Sequence, residues 1–157
     1  MIAVIQRVKS SSVTIAGQVV GQIGQGFNVL LGVQDDDQQE DLDFLVKKIP
    51  MLRVFEDDEG KMNRSLLDVN GEMLVISQFT LLADCRRGNR PSFIHAARPE
   101  VAIPYYEAFL RRMEESGVRR VAHGEFGADM QVDICNDGPV TIVLNSRDYL
   151  DGKGRGK

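Results

Sequence analysis

The chain of 157 residues has few of the side chains on which most enzyme sites depend. It contains two cysteines, Cys85 and Cys135, two histidines, His95 and His123, and no tryptophan. Two cysteines give neither a disulfide framework nor a paired zinc spacing, and neither histidine stands at a metal-ligand spacing. The sequence therefore predicts no metal and no cofactor, and a reducing, cytoplasmic setting.

Long apolar runs and an excess of positive charge are also missing. No run approaches the roughly 18 apolar residues that span a bilayer, and the opening Met1–Val8 has the pattern of a strand without signal-peptide features. The chain has 19 Lys and Arg against 23 Asp and Glu, a net charge of −4. A protein that tracks duplex nucleic acid is usually basic, so the sequence leaves room only for a local contact with an RNA end.

The familiar catalytic fingerprints are absent too. The sequence has no Gly-x-Ser-x-Gly elbow, no Walker loop and no dinucleotide-binding glycine pattern. Cys85 stands next to Arg86 and Arg87, and cations can activate a thiol, but no base neighbours it in the sequence. A thiol enzyme based on Cys85 is an alternative that would require sensitivity to alkylation.

What is present is an ordinary globular pattern, with 43% hydrophobic and 27% charged residues and a length that suits one domain. Alternating or continuous apolar runs predict strands over residues 2–9, 12–16, 18–23, 27–33, 52–55, 72–80, 119–123, 129–135 and 140–145. Two helices are predicted. The first has apolar positions at 42, 45, 46 and 49. The second begins at Pro99, and its expected buried stripe is Val101, Tyr105, Phe109 and Met113, with Tyr106 and Leu110 beside it.

Local signals refine this fold. Asp37 and Glu40 have the spacing of a capping box, and Asn70-Gly71 predicts a hairpin. The expected architecture is α+β, with a curved, mainly antiparallel, barrel-like sheet of about nine strands and two helices. It occupies residues 1–147, and a flexible basic tail, residues 148–157, follows.

Three stretches carry chemical interest. Ser77-Gln78-Phe79-Thr80 ends an apolar strand in polar groups that can stabilise an oxyanion or, with a base, attack a carbonyl. Gly138-Pro139 joins two apolar runs with an unusual backbone. The long loop over residues 83–98 contains Arg86, Arg87, Arg90 and Arg98, which either face solvent or contact phosphates. On spacing alone, the first two stretches are better explained as an ordinary strand end and a tight turn.

Taken together, Ser77-Gln78-Phe79-Thr80-Leu81 and Asn136-Asp137-Gly138-Pro139-Val140-Thr141 resemble the two signature motifs of the D-aminoacyl-tRNA deacylases, also called D-tyrosyl-tRNA deacylases. The likeness includes Ile5-Gln6-Arg7-Val8, Gly60-Lys61-Met62-Asn63 and Arg90-Pro91-Ser92-Phe93. It runs in order from residue 1 to about residue 145.

The resemblance implies a reaction and an assembly. The reaction is hydrolysis of the ester between a D-amino acid and the terminal ribose of tRNA, and of mischarged glycyl-tRNA, a chiral proofreading step in translation. The assembly is a homodimer with active sites at the subunit interface. A cis Gly138–Pro139 peptide of one subunit faces residues 77–80 of the other, and tRNA is the RNA partner.

The resemblance also implies roles for single residues. The catalytic set is Ser77, Gln78, Phe79 and Thr80, in which backbone N–H groups near Phe79 and Thr80 bind the oxyanion and Ser77 and Gln78 orient the substrate. Thr80 as a covalent nucleophile is an open alternative. The substrate-binding set is Gly138, Pro139, Val140, Thr141, Met130, assigned to an adenine pocket, and Arg7, which holds the Gly-Pro segment. The alternative function is a non-catalytic dimeric module that binds nucleic acid.

Overall fold

The computed structural model describes residues 1–150, and residues 151–157 of the predicted tail lie outside the described residues. The strands are β1 Ile2–Ile15, β2 Gln18–Ile23, β3 Gly26–Gly32, β4 Phe55–Glu56, β5 Met62–Arg64, β6 Glu72–Ser77, β7 Val121–His123 and β8 Gln131–Asn145. The α-helices are α1 Gln39–Lys48, α2 Pro99–Glu115 and α3 Ser146–Leu150, and 3-10 turns cover Ile49–Met51 and Phe79–Leu82.

Six strands form one mixed sheet in the order β2-β1-β3-β6-β7, with β8 paired to β1, and β4 and β5 form a separate pair. The pairs of β1 with β2, β3 and β8 are antiparallel, whereas β3–β6 and β6–β7 are parallel. The α+β class is confirmed. The expected nine strands and two helices are corrected to eight strands and three helices within residues 1–150.

The sheet curls until its edges approach each other. At Gly21 in β2, an added Cβ would lie 3.0 Å from the His123 carbonyl oxygen of β7. The strand β1 serves both halves of the curl, because residues 2–8 pair with β3 and residues 11–15 pair with β2. The two strands expected over residues 2–9 and 12–16 are therefore one long strand.

Two apolar clusters lie on the two faces of this sheet. Met73 and Val75 of β6 belong to the larger cluster, which packs under α1 and α2, and Leu74 and Ile76 belong to the smaller cluster inside the curl. Successive strand residues point to opposite faces, so a strand covered on both faces must be continuously apolar. This burial explains the unbroken apolar run that precedes Ser77.

Several local predictions need correction. Asp37 does not cap α1; the Gln38 N–H donates instead to Asp41 Oδ2 at 2.7 Å, and Asp37 accepts from the amino group of Met1 at 2.5 Å. The Asn70-Gly71 hairpin is wrong, because β6 pairs in parallel with β3 and β7. The buried residues of α2 are Ala102, Tyr106, Phe109 and Met113, whereas Val101 is exposed.

The end of the chain forms the third helix. The predicted tail began at residue 148, and residues 148–150 lie in α3. No helix within residues 1–150 is long and apolar enough to cross a bilayer. Within the same residues, no group of three or more His, Cys, Asp or Glu side chains is placed to hold a metal ion.

Candidate active site

The polar stretch at residues 77–80 lies at the exit of the buried strand β6. Ser77 is the last residue of β6 and pairs with Leu31 of β3. The Gln78 N–H then donates to the Leu31 carbonyl oxygen at 2.8 Å, which anchors the start of the 3-10 turn Phe79–Leu82. Phe79 and Thr80 are exposed on this turn, so the rigid core ends directly beneath an accessible segment.

Two backbone donors are left free at this point. The N–H groups of Phe79 and Thr80 donate to no atom of residues 1–150, as is usual in the first turn of a helix. The Thr80 hydroxyl oxygen accepts a hydrogen bond from the Gln78 side-chain amide, and no His, Asp or Glu side chain bonds to it within residues 1–150. The segment thus has preformed donors for an oxyanion, and within residues 1–150 no base is hydrogen-bonded to its Thr80 hydroxyl.

A cavity of about 300 Å³ adjoins this turn at Phe79. Its walls include Ser77, Gln78, Phe79 and Met130, which the sequence had singled out, and the segment Phe126–Asp129, which it had not. The carboxyl ends of β6 and β7 lie at the same edge because the two strands are parallel. The segment after β7 therefore falls next to residue 77, and the missing signal was the pairing of these two strands.

Met130 lies across Gly124. An added Cβ at Gly124 would be 2.3 Å from the Met130 Sδ atom, so a larger residue there would displace the Met130 side chain. The thioether then forms part of the cavity wall. An unbranched apolar side chain of this kind suits a flat aromatic group.

The segment Asn136–Thr141 projects from the middle of β8. The Gly138–Pro139 peptide bond is cis, and Gly138 has a φ of +124°. Both residues are exposed. A Cβ at Gly138 would lie 2.9 Å from Val140 Cγ2 and 3.0 Å from Arg7 Nη2, so both the backbone angle and the neighbouring atoms require glycine.

The Arg7 side chain contacts this segment through a hydrogen bond and an ion pair. The side chain is buried, with 7% exposure; its Nε atom donates to the Asp137 carbonyl oxygen at 3.1 Å, and its Nη1 atom donates to the Val54 carbonyl oxygen at 2.6 Å. The Asp137 carboxylate lies 3.5 Å from the same Nε atom. The guanidinium therefore links the chain before β4 to the residue that precedes Gly138.

Side-chain bonds brace the other end of the segment. The Val140 N–H donates to Asn136 Oδ1 at 3.1 Å, and Asn136 Nδ2 donates to Thr141 Oγ1 at 3.0 Å. Gln6 Nε2 donates to the same Thr141 oxygen at 3.3 Å. Val140 and Thr141 thus shape the loop, which presents its Gly-Pro tip outward.

Within one chain the two signature stretches do not meet. Ser77 lies level with Leu31, Ala3 and Leu144 across four neighbouring strands, and Pro139 precedes Leu144 by five residues. Three strand spacings of about 4.8 Å and five rises of about 3.3 Å separate them by roughly 20 Å. The cavity beside Phe79 includes no residue of the Gly-Pro segment.

The chain is similar to one family of known proteins over most of its length. The family model of D-Tyr-tRNA(Tyr) deacylase matches residues 4–145. The D-aminoacyl-tRNA deacylase of Sulfurihydrogenibium sp. is 57% identical over 147 residues, which are 94% of this chain and 99% of the relative. That of Thermus aquaticus is 56% identical over 146 residues, which are 93% of this chain and 95% of the relative.

Two solved structures share the fold. One, described as a c-Myc DNA unwinding element binding protein, is 45% identical, with a TM-score of 0.87 over 92% of this chain and 98% of its own. Another, described as a probable eukaryotic D-amino acid tRNA deacylase, is 17% identical, with a TM-score of 0.77 over 91% of this chain and 97% of its own. At that identity the second match shows the fold alone.

Proposed function

This chain belongs to the D-aminoacyl-tRNA deacylases, hydrolases of the ester in D-aminoacyl-tRNA, and from this premise we propose which of its groups carry out the reaction. Water attacks the ester carbonyl, and the resulting oxyanion is bound by the N–H groups of Phe79 and Thr80. Collapse of the intermediate then releases the amino acid and the ribose hydroxyl. These two unpaired donors, at Phe79 in the cavity wall and at the next residue, are the observation that carries the proposal.

An activated ester makes a strong nucleophile unnecessary. The site has to hold the carbonyl next to a water molecule and stabilise the negative charge that develops. Gln78 and Ser77 orient the substrate, and the neighbouring ribose hydroxyl assists proton transfer. Thr80 is disfavoured as a covalent nucleophile because its oxygen accepts from Gln78 and has no basic partner in residues 1–150.

The Gly-Pro segment belongs to the same site if it comes from a second copy of the chain. Gly138 and Pro139 are exposed, yet they lie far from the Phe79 cavity of their own chain. We place them in the partner's cavity, which makes the active unit a homodimer. Backbone carbonyl groups of the segment then bind the substrate ammonium and leave no space for an L side chain.

This arrangement determines the substrate range. A steric clash at Cα rejects every L-amino acid without reading its side chain, so many D-amino acids are accepted. Glycine has no side chain to reject, and mischarged glycyl-tRNA is therefore also hydrolysed. Met130 lines the pocket for the terminal adenine of tRNA, and the translation substrate implies a cytoplasmic setting.

The decisive variants separate a backbone donor from a side chain. Proline is tolerated at the first position of a helix, and Phe79 occupies that position of its turn, so Phe79→Pro removes one oxyanion donor. We expect it to lower hydrolysis of D-tyrosyl-tRNA by about 10²- to 10³-fold. Phe79→Ala is the matched control, since it loses the same ring but keeps the N–H.

The same assay tests the remaining roles. L-tyrosyl-tRNA should persist with every variant, Thr80→Ala should stay active, and Pro139→Ala should fail. If Thr80→Ala abolishes hydrolysis while Phe79→Pro is active, the Thr80 hydroxyl is the nucleophile and the mechanism proposed here is wrong. Wild-type protein that hydrolyses neither ester would refute the deacylase assignment.

A second function has one observation in its favour. The 45% identical solved structure is described as a DNA-binding protein, which fits a non-catalytic nucleic-acid-binding module. The net charge of −4 weighs against broad binding of a polyanion. A steep salt dependence of binding together with no hydrolysis of either ester would favour this module.

A further inference from the structure

Positive charge is concentrated in one loop next to the catalytic turn. Residues 83–98, hereafter the arginine loop, contain four arginines against one aspartate, a net charge of +3 in a chain whose net charge is −4. The arginines are Arg86, Arg87, Arg90 and Arg98. A segregated charge of this kind attracts a polyanion locally even when the whole protein is acidic.

The arginine loop is held in place and does not hang freely. The Asp84 N–H donates to the Ser92 carbonyl oxygen at 2.8 Å, and the Ser92 N–H donates to the Asp84 carbonyl oxygen at 2.9 Å. The ring of Phe93 contacts that of Phe79 edge to face, with centroids 5.1 Å apart. The loop is therefore fixed relative to the turn that carries the oxyanion donors.

Three of its four arginines form no ion pair within residues 1–150. Asp84 binds Arg86 through both carboxylate oxygens, at 2.9 and 2.6 Å, and these bonds hold the pKa of the Asp84 carboxyl far below its usual range. No carboxylate of residues 1–150 pairs with Arg87, Arg90 or Arg98.

A cavity opens beside two of the four arginines. It measures about 520 Å³ and is lined by Asp84, Arg86, Arg87, Ser92 and Ile94. Arg86 is oriented by Asp84, whereas the guanidinium of Arg87 and the hydroxyl of Ser92 have no hydrogen-bond partner within residues 1–150. Guanidinium donors match the oxygens of a phosphate in pairs.

We propose that the arginine loop binds backbone phosphates of the acceptor end of tRNA, with Arg87 and Arg90 as the principal contacts. The inference rests on the proposed function, because an ester bound at Phe79 brings the phosphates of the last nucleotides past the adjoining loop. Such contacts position the RNA but do not read its sequence. The loop therefore serves tRNAs of many sequences and contributes nothing to chiral selection.

The test compares a substrate with phosphates and one without. D-tyrosyl-tRNA and D-tyrosyl-adenosine are hydrolysed by wild type, by the double variant Arg87→Gln/Arg90→Gln, and by Arg111→Gln. Arg111 is the matched control, an exposed α2 arginine paired with Glu115 at 3.8 Å. We expect the double variant to lose about tenfold in kcat/KM on D-tyrosyl-tRNA at low salt and to match wild type on D-tyrosyl-adenosine.

The salt dependence gives an independent measure. The slope of log affinity for uncharged tRNA against log salt, followed by fluorescence anisotropy, should decrease by about one for each arginine removed. Equal losses on both substrates, or a slope identical to that of wild type and Arg111→Gln, would overturn the inference. The binding measurement decides it even if wild type hydrolyses neither ester, an outcome that would refute only the proposed reaction.

Discussion

At the scale of single residues, Gly138 is a position where any side chain is strongly disfavoured. Its φ of +124° is unfavourable for any L side chain, and an added Cβ would lie 2.9 Å from Val140 Cγ2. Backbone strain of this kind costs on the order of 1–3 kcal/mol. The Gly-Pro tip therefore has its shape only because residue 138 is glycine.

The first prediction concerns Gly138→Ala. We expect it to lower the free energy of unfolding by about 1–3 kcal/mol and the rate of D-tyrosyl-tRNA hydrolysis by at least about tenfold. Gly60→Ala is the control, since Gly60 has a φ of +76° but no atom within 4 Å of its added Cβ. That variant should be destabilised with full activity. A fully active Gly138→Ala protein would show that the tip has no part in the site.

Only part of the site could be found from single residues. Ser77, Phe79 and Gly138 were located by the likeness of two short motifs to a known family, and spacing alone gave an ordinary strand end and turn. Phe126–Asp129 was missed because nothing in its composition distinguishes it from a connecting loop. Its place in the cavity wall depends on β7 lying parallel to β6, a long-range fact that no local pattern contains.

At the scale of elements, α2 is tied to the sheet by a buried phenol. The Tyr106 hydroxyl donates to the Val75 carbonyl oxygen of β6 at 3.1 Å, and burial raises the pKa of Tyr106 well above its usual value of about 10. The folded state thus holds the proton more tightly than the unfolded state. This contribution to stability is complete below pH 10 and is lost as pH rises toward the folded-state pKa.

The second prediction follows for Tyr106→Phe. At pH 7 the variant should be less stable than wild type by about 1 kcal/mol, the usual value of one hydrogen bond. Above pH 10 wild type loses about 1.4 kcal/mol per pH unit and the variant does not, so the difference should vanish near pH 11. Urea unfolding from pH 7 to 11 measures this. A constant difference across that range would contradict the assignment.

The ends of three elements meet at another buried contact. The Met1 amino group donates to Asp37 Oδ1 at 2.5 Å and to Ser146 Oγ at 2.7 Å. Burial lowers the pKa of this amine and raises the pKa of the Asp37 carboxyl, and their mutual attraction only partly opposes both shifts. The start of β1, the entry to α1 and the first residue of α3 are joined here.

The third prediction compares two neighbouring carboxylates. Asp37→Asn keeps the shape but removes the charge from the buried contact, and should lower the free energy of unfolding by about 1–3 kcal/mol. Asp36→Asn, at a carboxylate with 63% exposure that pairs with Arg147, should cost less than about 1 kcal/mol. Equal costs in urea unfolding at pH 7 would show that the buried contact contributes nothing beyond a surface pair.

Helices were easier to predict than strand partners. Apolar periodicity and Pro99 located α1 and α2, but the buried face of α2 includes Ala102 in place of Val101. Asn70-Gly71 has the chemistry of a hairpin, yet β5 pairs with β4, and β6 inserts between β3 and β7. Local turn chemistry cannot decide between partners that lie 40 or more residues apart.

At the scale of the whole molecule, the sheet holds the two signature stretches of each chain far apart. The cavity beside Phe79 has free backbone donors, and no residue of the Gly-Pro segment of the same chain lines it. The Gly-Pro tip, which we propose selects the D-amino acid, is exposed and far from that cavity. Our central claim is that a second copy of the chain unites them, so that a monomer is inactive.

The claim is tested most directly by mixing two defective chains. Phe79→Pro and Pro139→Ala, each inactive alone and each carrying a different tag, are co-expressed, and dimers containing one of each are purified. If each site is shared between copies, one of the two sites of the mixed dimer combines an intact Phe79 with an intact Pro139. The mixed dimer should then recover about half of the wild-type rate on D-tyrosyl-tRNA. A mixed dimer that forms but stays inactive, or a wild-type monomer with full activity, would contradict the account.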